Sequence, residues 1–165
     1  MTLDRSDTPA TANDGTVFVV FELSKSKWLL GVVLPGSNKP GRYTVAGGET
    51  SAVKERLDAA RRQAAALGHG PVRVVSAYEA GYDGFWLHRW LEAEGVESHV
   101  LDPSSVSVDR RARRAKTDRL DMELPMRVLL AHCRGEPRAC RMVRPPSIAE
   151  EDARGSNRER TRLVR

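Results

Sequence analysis

The sequence predicts an α/β domain: one mixed five-stranded sheet with helices on its faces. Three features lead there. Five short runs rich in Val, Leu and aromatic residues stand between turn signals, each of strand length. The first three follow one another through tight connections, which only antiparallel neighbours allow. The last two each follow a segment of helical period, the signature of a βαβ crossover.

Residues 1–15 are rich in Thr, Asp, Ala, Asn and Gly, lack periodicity and read as a disordered tail. Val17 to Leu23 (VFVVFEL) reads as a strand buried on both faces. Ser24 to Lys27 make a polar turn. Lys27 to Leu34 (KWLLGVVL) is a second strand, ended by Pro35, Gly36, Ser37 and Asn38. Arg42 to Ala46 is a short third strand, ended by Gly47 and Gly48. Thr50 reads as the N-cap of a helix of about 17 residues, with Val53, Leu57, Ala60, Ala64 and Leu67 at helical spacing and Gly68 as its stop. Val72 to Ala77 is the fourth strand. Gly81 precedes a second helix bearing Tyr82, Phe85, Trp86, Leu87, Trp90 and Leu91, stopped at Gly95. Val96 to Leu101 is the fifth strand, ended by Asp102 and Pro103. Thr117 to about Cys133 has helical character, interrupted by Pro125. That proline lacks the N–H that would bond to the carbonyl of Asp121 and predicts a kink or an end there. Residues 145–165, opened by Pro145 and Pro146, are mostly charged and read as unpacked. The order β-β-β-α-β-α-β-α is that of the ribonuclease H-like fold. The expected organisation is a tail over 1–15, a folded domain over 16–144 and a charged tail over 145–165.

Composition narrows the classes. The chain has 165 residues, the length of one domain, and a net charge of +5. No apolar run approaches the roughly 18 residues of a spanning helix, and no apolar segment marks a secretory signal near Met1. Two cysteines, Cys133 and Cys140, are too few for a disulfide scaffold and wrongly spaced for a zinc knuckle, so a reducing, cytoplasmic (bacterial) setting is expected. The charge is divided unevenly: residues 104–165 carry +7 and residues 1–103 carry −2. The basic part opens with Arg110, Arg111, Arg113, Arg114 and Lys116, a cluster suited to phosphate backbones because guanidinium groups grip phosphate oxygens bidentately. The plain alternative is a solvated helix face in an Arg-rich chain.

Four acids stand out once placed on these elements. Glu22 lies inside the otherwise apolar first strand, where a carboxylate is costly unless paired or bound to a metal. Glu79 follows the fourth strand. Asp118 and Asp121, in AKTDRLD, share one helix face. In a ribonuclease H-like sheet the first and fourth strands are neighbours and the last helix packs across them, so the four acids converge at one end. Carboxylates gathered there repel one another, and divalent ions relieve that repulsion. Oxygen ligands suit Mg²⁺ (or Mn²⁺), and two ions about 3.5–4 Å apart can activate a nucleophile and stabilise a leaving group in phosphodiester chemistry. Taken singly, each acid has an ordinary reading: an edge residue for Glu22, a helix cap for Glu79, solvated helix charge for Asp118 and Asp121.

At VFELSK, AYEAGYDGFWLHRWL, VLDPSSV and RRARRAKTDRLD the sequence resembles the N-terminal DEDD domain of the insertion-sequence transposases related to the Piv invertase, the "one-ten" family. The resemblance runs from about Val17 to Arg144. It implies a RuvC-like ribonuclease H fold and resolvase-style, metal-dependent strand chemistry at Glu22, Glu79, Asp118 and Asp121. It also implies DNA as partner, a structured guide RNA that selects sites, and a homo-oligomer. Arg119, within RRAKTDRLD, joins the basic cluster as a nucleic-acid contact. Three departures stand out. The family's opening acid is usually Asp, in a pattern like G-[IV]-D-[VI]-[SA]-K, and here it is Glu22. The helix after Asp121 usually continues smoothly, and here Met122, Glu123 and Pro125 occupy it. The family continues into a C-terminal domain with a nucleophilic serine, so a chain ending at Arg165 reads as truncated.

The remaining motifs are plainer. His69, His88, His99 and His132 show no metal spacing, and the cysteines read as inert thiols. Trp86 and Trp90, one turn apart, read as sheet-packing residues ahead of base-stacking ones. No phosphate loop follows the first strand, which excludes the actin-like ATPases. The expected function is the catalytic domain of a DNA transposase acting with carboxylate-bound metal. The alternative is a decayed transposase fragment that only binds nucleic acid.

Overall fold

The computed structural model describes residues 15–81, 85–106, 118–136 and 138–154, with the side chains of residues 118–121 outside the description. The elements are β1 (Thr16–Leu23), β2 (Lys27–Val33), β3 (Gly41–Ala46), α1 (Thr50–Ala66), β4 (Arg73–Glu79), α2 (Trp86–Ala93), β5 (Glu97–Leu101), a 3₁₀ turn (Pro103–Ser105) and α3 (Asp118–Cys133). They form one five-stranded sheet in the order β3-β2-β1-β4-β5. The β1–β2 and β2–β3 pairs are antiparallel; β1–β4 and β4–β5 are parallel. This is the α/β, ribonuclease H-like arrangement expected, with β1 beside β4.

The apolar run of β1 is explained by its place. Val17, Val19 and Phe21 face α1 and α2, while Phe18 and Val20 face α3. Alternate side chains of one strand thus fill two separate cores. Full burial of each Val or Leu contributes roughly 1.5–3 kcal/mol. Val53, Leu57, Ala60 and Ala64 supply the inner stripe of α1, and Leu87 and Leu91 that of α2. Met122, Met126, Val128 and Leu129 supply that of α3.

Four sequence expectations change. Glu49, not Thr50, is the N-cap of α1, and Thr50 is its first helical residue. β4 is shifted, running from Arg73 through Glu79. Pro125 does not end α3, which is continuous from Asp118 to Cys133. Met122 before it and Met126 after it are both buried on the sheet. That packing on both sides of Pro125 holds the helix together across the missing hydrogen bond. Lastly, residues 145–154 are not an unpacked tail. Residues 148–154 are helical, and Glu151 ion-pairs with Arg89 of α2 while accepting from the Phe85 amide at 3.3 Å. Ahead of that segment, Met142 bridges antiparallel to Leu101 and the Val143 amide donates to the Val100 carbonyl at 2.7 Å. The free edge of β5 is thereby covered.

Candidate active site

Glu22 and Glu79 occupy matching positions. Register in the parallel β1–β4 pair runs from Thr16 opposite Arg73 to Phe21 opposite Tyr78. The next residues along are Glu22 and Glu79, at the C-terminal ends of neighbouring strands. Alternation puts both on the face of Val20 and Ala77, the one α3 covers. Glu22 is half-buried and Glu79 exposed. Glu79 is therefore the last residue of β4 and not a residue of the following loop. The C-terminal ends of parallel strands are where α/β sheets open outward, since the chain leaves there for the next crossover.

α3 is fixed over this face by identifiable contacts. A Cβ on Gly31 would come within 3.1 Å of Val20 Cγ2 and 3.5 Å of Met122 Cε. Gly31 thus lets the helix approach β1 and β2 closely. At the far end, the His132 ring meets the His99 ring edge-on at 5.0 Å between centroids. The helix therefore crosses the face from β1 and β2 toward β5. Its first turn, which carries Asp118, Arg119 and Asp121, comes just before Met122. The side chains of Asp118, Arg119 and Asp121 lie outside the described residues. So do Arg110, Arg111, Arg113, Arg114 and Lys116 entirely. Among the described residues no three His, Cys, Asp or Glu side chains are grouped to hold a metal ion. The donor chemistry of Glu22 and Glu79, carboxylate oxygen, is nonetheless of the kind that suits Mg²⁺.

Sequence reasoning passed over Lys27. It sits exposed at the start of β2, and alternation from buried Trp28 puts it on the acid face. The alternation of β2 carries that signal, but a continuous apolar run hides it. The tryptophans also divide. Trp90 packs against the α1–α2 core as expected, whereas Trp86 is 39% exposed and leans on buried Trp28, with ring centroids 5.8 Å apart. Beside them, Tyr78 is buried at the end of β4, and that burial pushes its phenol up to about 12, so it stays neutral. His88 is paired with Glu92 at 3.5 Å. Cys133 and Cys140 are free, with burial raising the Cys133 thiol away from its reactive form.

No family model matches the chain. A protein of Sinorhizobium fredii named "Putative transposase y4rJ" is 46% identical to it over 151 residues. The match covers 91% of this chain and 38% of that protein, so the chain spans well under half of its relative's length.

Proposed function

We propose that this chain is the catalytic, metal-using portion of a DNA transposase, with Glu22, Glu79, Asp118 and Asp121 as its acids. The observation that carries the reading is the β1–β4 register, which sets Glu22 and Glu79 side by side at one end of the sheet. The likeness to a protein named a transposase gives the reaction its class. Glu22, Glu79, Asp118 and Asp121 would hold Mg²⁺ or Mn²⁺ as two ions, which would supply charge neutralisation at a phosphodiester under attack. Glu22 is half-buried at the end of the central strand of the sheet, which supports a carboxylate of restricted freedom there. Arg110 to Lys116 and Arg119 would grip the DNA backbone beside these acids through charge-assisted hydrogen bonds. A structured RNA that selects sites and assembly into a homo-oligomer complete the proposal.

The test is calorimetric titration of the chain with Mg²⁺ and with Mn²⁺. Wild type is expected to bind, and the double variant Asp118→Ala/Asp121→Ala to bind at least about tenfold more weakly, as loss of ligating carboxylates predicts. Equal, weak binding by both proteins would remove the catalytic reading.

A further inference from the structure

Trp86 opens α2 with its indole 39% exposed, while its neighbour Trp28 is 2% exposed beneath it. Trp28 pairs with Leu23, one row beyond the Glu22–Leu29 pair. Trp28 therefore stands at the end of the sheet where the acids emerge, on the opposite face in the α1–α2 core, and Trp86 leans on it from outside that core. Between the two faces lies the β1–β2 turn, where Lys25 and Lys27 are exposed. The two rings meet with their planes tilted by 33°, and Trp86 keeps 39% of its surface exposed; a partly exposed aromatic ring braced by a buried neighbour can serve as a stacking platform.

We propose that Trp86 receives an unpaired base of a DNA strand whose backbone rounds this end of the sheet past Lys25 and Lys27. The inference rests on the transposase reading and adds to it the form of the substrate, a locally unpaired strand. The charge is complementary, because lysines at the turn meet phosphates. The geometry suits one strand and not a duplex, because an indole stacks only on a base freed from its own neighbours. Trp28 fixes the ring in advance, so little ordering accompanies binding.

The experiment uses the 165-residue chain and measures anisotropy of a labelled single-stranded DNA and of a duplex of the same sequence. Trp86→Leu, which keeps apolar packing on Trp28, is expected to weaken single-strand binding by roughly tenfold or more, and Trp86→Phe much less. Duplex binding is expected to stay the same in all three proteins. A single strand with 2-aminopurine is expected to lose fluorescence on binding wild type, a readout that does not depend on any variant folding. Unchanged single-strand binding by Trp86→Leu, an equal loss on duplex, or no quenching overturns the proposal. So does a dependence on Trp86 seen with an RNA strand and not with DNA. The metal titration above reads the acids separately: if it fails while the stacking results hold, the transposase chemistry falls and the base-binding surface stands.

Discussion

Gly47 sits under the β1–β2 turn, its amide donating to the Ser26 carbonyl at 3.0 Å. A Cβ there would stand 2.6 Å from the Lys25 carbonyl oxygen and 3.1 Å from that of Ser24. Backbone atoms cannot swing aside as a side chain can. Gly47→Ala is therefore expected to cost about 1–3 kcal/mol, seen as a lower urea midpoint with an unchanged slope. Sequence showed this glycine only as the end of a strand, because the atoms it accommodates lie across a tertiary contact. Glu22 was legible for the opposite reason: one acid in an apolar run is conspicuous without knowing its neighbours. Arg89 and Glu151 were not legible at all. Each is an ordinary surface charge until the fold brings them together.

The strands were the most readable elements, since short apolar runs bounded by Gly and Pro leave few alternatives. Helix ends were less so. Thr50 has the right chemistry for a cap, yet the helix begins one residue earlier than that chemistry suggests, and Glu49 holds the cap without a side-chain bond. α3 shows how packing overrides propensity. Pro125 removes one hydrogen bond within a helix whose buried side chains lie both before and after it. Pro125→Ala restores the N–H at a position already helical. It is expected to stabilise the protein by up to about 3 kcal/mol, measured as a rise in the urea midpoint. A drop would mean that the ring itself packs better than a methyl group.

Across the molecule, several carboxylates sit below their ordinary range. Burial alone would raise Glu97, but hydrogen bonds from Arg73 and His99 outweigh it. The Ser104 hydroxyl and amide lower Asp102, and Arg89 lowers Glu151. Acids depressed in the folded state favour folding above their ordinary values, and that stability is lost as pH falls through the folded ones. His132 works in the same direction by another route. Burial, helped by the nearby His99, lowers it, so protonation below about pH 6.5 favours the unfolded chain. Urea midpoints are expected to hold steady from about pH 8 to 7, fall gently below about 6.5, and fall steeply below about 4.5. His132→Gln should remove the gentle stage and leave the steep one; a curve flat down to pH 4.5 in wild type would contradict the His132 account.

The central position of β1 carries one more consequence. From Phe18 to Phe21 it is paired on both sides, by β2 and by β4, with a core above and another below. No edge strand or loop can fray it open, so solvent exchange at its amides must await cooperative unfolding of the whole sheet. Glu22, one residue past that stretch, is anchored to the slowest-opening part of the protein. Trp86 begins a short helix joined to the sheet by a loop. The acid at this end of the fold is thus set on a fixed anvil, and Trp86, braced on the buried Trp28 of β2, shares that support.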